Sequence, residues 1–177
     1  MRRKPNSVAA VEATVHRCPF QFTPPPIAGP ERLVGLGFRY WMLGRTTGDV
    51  ACWERAWDLY SGTFGVVGGR AAVSQLSSWV CALGTTSRRD IEVSSPSCHK
   101  FCRDECVAIS MIAACQHQTC PALRACAFAL VETSMIDGVV EQAQGFADTL
   151  AGLDHVLSPG AIVQAPIEIA LKHATAH

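Results

Sequence analysis

From Glu31 onward, apolar side chains recur at intervals of three and four residues, with glycine or proline at most breaks between the runs. Two such runs are Val50, Trp53, Trp57 and Tyr60, and Val73, Leu76, Val80 and Leu83. This spacing places the apolar residues of each run on one face of an α helix. Residues 91–93 could form a short extended stretch, which makes no sheet by itself. We therefore predict an all-α fold.

Glycine, proline and polar connectors divide this region into six or seven helices of an irregular bundle. The predicted helices cover residues 31–44, 49–64, 66–84, 98–120, 121–136, 138–152 and 161–176. Gly35 and Gly37 should allow close packing of the first helix against a neighbour. Residues 121–136 are apolar nearly all round, which predicts a central, buried helix. Residues 31–177 are predicted to form a single domain.

Residues 1–30 are predicted to form a basic, proline-rich tail. Three consecutive prolines, at positions 24–26, favour an extended polyproline conformation. Phe20, Phe22 and Ile27 would anchor the tail on the surface of the domain. The stretch lacks the continuous apolar core of a signal peptide, so we expect a cytoplasmic protein.

Charge and hydropathy exclude several classes of function. The formal net charge is zero and only 17% of residues are charged. Nucleic-acid binding through clustered Lys and Arg is therefore not expected. No apolar stretch approaches the length of a membrane span, so no membrane association is expected. Nine cysteines cannot all pair internally, and cytosolic thiols stay reduced, so a disulfide framework is disfavoured.

The most unusual stretch is SPSCHKFCRDECVAISMIAACQHQTC, residues 95–120. It holds five of the nine cysteines and two of the six histidines. If residues 98–120 form one helix, an advance of about 100° per residue brings most of these side chains onto one arc. Cys98, Cys102 and Cys106 would then stack on consecutive turns. The geometry predicts a shared site for a soft metal ion or cluster.

The predicted ligands are Cys98, Cys102, Cys106, Cys115, His117 and Cys120. Zinc, copper(I) and an iron–sulfur cluster all remain candidates, since thiolates select soft ions. The Cys-x₃-Cys rhythm resembles that of cysteine-rich, four-helix copper-storing bundles. This resemblance is confined to residues 98–126, because helices 31–44, 49–64 and 138–152 hold only Cys52. The metal hypothesis implies a sensor, store or accessory factor.

Three alternatives use the same residues differently. Free cysteine packs like a small apolar residue, so the thiols could simply fill a core. The chain would then be a helical interaction or regulatory module that contacts a partner protein through its Pro-rich tail or its Trp-bearing helices. A redox role would need a thiol whose pKa is lowered by a helix N-terminus or by Lys100 and Arg103. An enzyme ranks last, because no catalytic motif is present.

Overall fold

The computed structural model describes residues 29–162 of the chain. Five α helices and one short 3₁₀ helix form the regular structure of this part, and it contains no strand. They are α1 (Pro30–Thr47), α2 (Val50–Thr86), α3 (Arg103–Gln116), α4 (Cys120–Val131), α5 (Asp137–Gly152) and the 3₁₀ helix Pro159–Ala161. The prediction of an all-α fold is confirmed for the residues described.

The predicted count of six or seven helices is not confirmed. The separate helices predicted for 49–64 and 66–84 are joined in α2, which turns at Gly65 without an intervening loop. Gly65 has a φ of 71° and a ψ of 177°, a conformation that a residue without a Cβ adopts readily. The tail predicted for residues 1–30 and the last predicted helix fall almost wholly outside the described residues.

Close approach between α1 and α2 depends on a glycine. A Cβ atom at Gly37 would overlap the ring of Tyr60, which packs there against the α1 backbone. The Tyr60 hydroxyl donates a hydrogen bond to the Leu33 carbonyl at 3.4 Å. The predicted tight packing of the first helix is therefore confirmed, and Pro30 occupies the first turn of that helix.

An aromatic cluster joins α1, α2 and α5. The ring of Trp79 lies 5.4 Å from the ring of Phe38 and 5.7 Å from that of Phe146. Tyr60 approaches Phe146 at 6.3 Å, and all four side chains are buried. Rings of this size remove a large apolar area from water, so this cluster is a principal source of folding free energy.

The central helix is α3, not α4, so the prediction of a central helix at 121–136 is wrong. α3 packs against α1, α4 and α5, and nearly all of its side chains are buried. α4 buries one face and leaves Phe128 half exposed. It ends at Val131 because Glu132 adopts a left-handed conformation, with a φ of 51°. None of the helices between residues 29 and 162 has the length and apolar character needed to cross a membrane.

The segment after α5 returns across the end of α3. The Gln116 side chain donates to the His155 carbonyl at 3.0 Å and accepts from the Leu157 backbone N–H at 2.8 Å. The Ser158 backbone N–H then donates to the Glu31 carboxylate at the start of α1, at 2.6 Å. These bonds close the bundle at the end opposite to the first turn of α3.

Candidate functional site

Charged side chains are buried together where α3 begins. Arg39, Asp104 and Glu105 account for three of the five buried polar or charged residues between positions 29 and 162. Asp104 and Glu105 occupy the first turn of α3, where the helix dipole favours negative charge. With the half-buried Arg89, they form a group that we call the polar clamp: Arg39, Arg89, Asp104 and Glu105.

Arg39 and Glu105 form a fully buried ion pair between α1 and α3. The Arg39 Nε donates to Glu105 Oε1 at 2.6 Å, and Nη2 donates to Oε2 at 3.1 Å. The guanidinium lies 4.9 Å from the centre of the Phe101 ring, close enough for a cation–π contact. The pair is bidentate, which is the geometry that gives Arg–carboxylate pairs their strength and direction.

The other hydrogen bonds of this pair end on the connector between α2 and α3. Arg39 donates to the carbonyls of Cys98 at 2.5 Å and Lys100 at 2.7 Å. The Glu105 carboxylate accepts from the backbone N–H of Ser94 at 3.1 Å and that of Cys102 at 2.7 Å. Residues 94–102 are thus held at both ends and in the middle by two buried side chains. We call these residues the clamped loop.

Asp104 holds the preceding part of the connector in the same way. Arg89 donates to its two carboxylate oxygens at 2.6 and 2.8 Å, and the Glu92 backbone N–H donates to it at 2.9 Å. Arg89 also donates to the Ala129 carbonyl at 2.9 Å, which ties the connector to α4. Two acidic residues adjacent in sequence therefore each position part of the connector, together with Arg39 and Arg89.

A shallow groove lies beside the clamped loop. It has a volume of about 450 Å³ and is lined by Tyr40 of α1, Arg55 of α2, and Pro96 and Ser97 of the loop. Every residue from Ser95 to Lys100 is exposed to solvent. The polar clamp thus gives the clamped loop a polar surface of defined shape, because the buried Arg39 and Glu105 hydrogen-bond its backbone.

The structure places the predicted metal ligands on several different elements. Cys98 lies in the clamped loop, Cys102 is the N-cap of α3, and Cys106 and Cys115 are in α3. His117 caps the C-terminus of α3, and Cys120 begins α4. The prediction of one helix across 98–120 is wrong at both ends. The carboxylates of Asp104 and Glu105 hold the residues before position 103 in a loop, and Gln118, with a φ of 54°, starts the turn into α4.

Cysteines 98, 102 and 106 therefore do not occupy consecutive turns of one helix. Cys102 and Cys106 keep the one-turn spacing, whereas Cys98 is exposed in the loop. No group of three or more His, Cys, Asp or Glu side chains within residues 29–162 is arranged to hold a metal ion. The structure does not assemble the six predicted ligands, and the metal site itself stays a prediction.

Cys102 closes the first turn of α3 as a serine commonly does. Its side chain faces the Glu105 backbone N–H, while Glu105 accepts from the Cys102 backbone N–H, the reciprocal pattern of a capping box. The thiol also donates to the Glu92 carbonyl at 3.2 Å. Cys102 therefore has a structural role as the N-cap of α3.

Three of the predicted ligand thiols are protected from ionisation. Burial, reinforced by the Glu105 carboxylate, raises the pKa of Cys102 to about 12 and that of Cys106 to about 11. Burial, with smaller contributions from Asp148 and two neighbouring thiols, raises the pKa of Cys115 to about 12. A redox role requires the opposite shift, so these three thiols do not have the character of redox-sensing cysteines.

His117 and Cys126 also have structural partners. The His117 Nε2 lies 2.8 Å from the Leu157 carbonyl, which fixes the returning segment after α5. The Cys126 thiol, buried in α4, donates to the Ser110 hydroxyl of α3 at 3.4 Å. Sequence reasoning placed His117 among the ligands and left Cys126 out.

Sequence reasoning also missed Arg39 and Glu105, the pair on which the site depends. The spacing of Cys102 and Glu105 carried a usable signal, since Cys-x-x-Glu matches the Ser/Thr-x-x-Glu capping box with a thiol in place of the hydroxyl. Nothing local to Arg39, 66 residues away, indicates its partner. Comparison with protein-family models, with curated proteins and with solved structures gives no match to this chain.

Proposed function

We propose that this chain is a helical protein-interaction module. Its binding face is the clamped loop with the adjoining groove, and the cysteines of α3 and α4 serve the fold. The observation that carries the proposal is the Arg39–Glu105 pair, whose remaining hydrogen bonds all end on a surface loop. What these two side chains determine is the shape of that surface.

Energetics support a role in shape rather than in stability. Moving two charges out of water costs several kcal/mol per ion, and their attraction roughly offsets this cost when all hydrogen bonds are made. Packed apolar residues at positions 39 and 105 would hold α1 and α3 together equally well. Only side chains that carry hydrogen-bond donors and acceptors can also fix the loop carbonyls and N–H groups. A loop fixed in advance loses less conformational entropy when it binds.

The arrangement of the thiols is also consistent with this proposal. Cys102 caps a helix, while Cys106, Cys115 and Cys126 are buried among side chains of the bundle. A cytoplasmic soft-metal protein is the competing proposal, and its remaining support is the one-turn spacing of Cys102 and Cys106. The two proposals differ in whether the function requires a sulfur atom at position 102. A cap tolerates a hydroxyl, whereas a soft metal requires sulfur.

Photo-crosslinking tests the binding face. A photoreactive residue is placed at Ser97 in the groove, and at Arg70 on the exposed surface of α2 as a control. In cells that contain the chain, we expect one partner to crosslink at position 97 and not at position 70.

The partner is then purified and its affinity for the full chain is measured. Ser97→Trp, which fills the groove without adding a charge, should weaken binding more than tenfold, while Ser78→Trp, at an exposed site on α2, should not.

Equal crosslinking at both positions, or equal affinity of the two tryptophan variants, would remove the clamped loop as the binding face. Elemental analysis of protein purified without added metal tests the competing proposal. We expect no stoichiometric zinc, copper or iron. One ion per chain that is lost in Cys102→Ser would establish the soft-metal function instead.

A further inference from the structure

The groove beside the clamped loop has a definite chemical character. Its walls supply a guanidinium from Arg55, a phenol from Tyr40, a hydroxyl from Ser97 and the ring of Pro96. We propose that this groove binds a carboxylate-bearing segment of the partner protein and that Arg55 binds the carboxylate. This inference rests on the proposed function.

Arg55 is available for such a contact. Its side chain is exposed, and it forms no hydrogen bond or ion pair with any other residue between positions 29 and 162. Glu54 and Asp58 are its nearest acidic neighbours along α2, and neither pairs with it. An unpaired guanidinium in a groove keeps its five donors free for a ligand.

The two sides of the groove that face Arg55 carry no acidic side chain. Residues 36–44 of α1, which include Tyr40, contain no acidic side chain, and neither does the loop from position 93 to 101. Lys100 adds a second exposed cation from the same loop. The loop carbonyls of Cys98 and Lys100, which would repel an anion, are already occupied by Arg39. The α1 and loop sides of the groove therefore add no negative charge that would compete with a bound anion.

The donors match a carboxylate better than a phosphate. The arginine fork binds a carboxylate through two parallel hydrogen bonds, and the hydroxyls of Tyr40 and Ser97 add neutral donors. Phosphate-binding sites in peptide recognition generally use clusters of arginine, whereas this groove is lined by a single arginine. The Tyr40 and Pro96 rings offer apolar contact for the stem of a Glu side chain or for the peptide backbone.

Titration of the full chain, monitored by amide NMR, tests this inference with three probes. They are N-acetyl-tetraglutamate amide, the matching tetraglutamine peptide, and inorganic phosphate. We expect saturable shifts at Tyr40, Arg55 and Ser97 with the tetraglutamate peptide only. Arg55→Gln should weaken that binding about tenfold or more, as expected for loss of a charge-assisted hydrogen bond, and Arg70→Gln should leave it unchanged.

Equal shifts with the tetraglutamine peptide, or equal weakening by the two arginine variants, would overturn the inference. Saturation by phosphate at the same residues without binding of the tetraglutamate peptide would overturn it in favour of a phosphorylated ligand. If no probe binds but Ser97 still crosslinks a partner, the carboxylate inference fails while the proposed function stands. If Ser97 crosslinks nothing specific, the proposed function fails.

Discussion

The two ends of α3 are buried by different means. At the N-terminal end, Asp104 and Glu105 are surrounded by arginine side chains and backbone N–H groups of the connector. At the C-terminal end, Ile112 and Cys115 are buried within the hydrophobic core. One 14-residue helix thus changes from an ionic to an apolar environment along its length.

This difference separates the interactions that determine the shape of the clamped loop from those that stabilise the bundle. Apolar burial is strong but non-directional, so it holds α3 in the bundle without determining the course of a surface loop. The hydrogen bonds of Glu105 have direction, so they specify where residues 94 and 102 lie. Cysteine takes part at both ends, as the cap at position 102 and as a small packing residue at position 115.

The largest effect should come from removing one partner of the buried pair. Glu105→Ala leaves the Arg39 guanidinium buried without its counter-charge, which we expect to lower the free energy of unfolding by about 3–5 kcal/mol. Urea denaturation measures this loss. Glu132→Ala is the control, because Glu132 is the exposed member of an ion pair with Arg89 and should cost less than about 1 kcal/mol. Equal losses would mean that burial of the pair is unimportant.

The thiols at both ends of α3 should be similarly unreactive despite their different surroundings. A thiol with an unperturbed pKa of 9.0 is about one-tenth thiolate at pH 8, whereas a pKa of about 12 reduces that fraction about a thousandfold. Because a raised pKa favours the neutral form, Cys102 and Cys115 should resist alkylation until pH approaches 12 or the chain unfolds. Iodoacetamide labelling followed by mass spectrometry measures this, with exposed Cys81 and Cys120 as internal references. Fast labelling of Cys102 at pH 8 would contradict the account.

A hydroxyl in place of the thiol should be costly at the apolar end. Cys115 is buried in the core, so Cys115→Ser buries a hydroxyl among apolar side chains. We expect a loss of about 2 kcal/mol in urea denaturation, of the order found for an unsatisfied polar group. Cys115→Ala, which introduces no polar group, should cost less. The reverse order would show that position 115 is not an apolar site.

The same substitution should be nearly neutral at the polar end. In Cys102→Ser the hydroxyl can face the Glu105 N–H and donate to the Glu92 carbonyl, as the thiol does. Cys102→Ala removes both contacts and should cost about 1 kcal/mol, a typical value for loss of an N-cap. Denaturation of the two variants side by side checks the order. A serine variant as unstable as the alanine variant would rule out capping as the function of this cysteine.

Local patterns in the sequence predicted most of the helices. Apolar spacing placed the helix predicted at 31–44 within α1 and the one at 138–152 within a residue of α5. The starts of two helices have a local cause in the structure: Pro30 occupies the first turn of α1, and Asp49 accepts from the Ala51 N–H at the start of α2. These signals involve residues within one turn of each other, which is the range over which sequence patterns are informative.

The errors lie where distant residues decide the outcome. The segment from Cys98 to Phe101 has a helical pattern, yet the Arg39 guanidinium binds the carbonyls of Cys98 and Lys100 and so stabilises the loop conformation instead. Such a contact joins residues about 60 positions apart and leaves no local pattern. The candidate metal ligands were grouped on the assumption of one continuous helix, and the loop and the turn at Gln118 separate them.

Amide hydrogen exchange in the double variant Arg39→Met/Glu105→Leu tests the central claim most directly. Apolar replacement of both partners should keep the bundle folded, because it leaves no unpaired charge. We expect protection of the Ser94 and Cys102 amides to fall at least about tenfold, since both donate to Glu105, while the Ile112 amide in the apolar half of α3 keeps its protection. Unchanged protection at Ser94 and Cys102 in a folded double variant would contradict the claim that the polar clamp determines the shape of the loop.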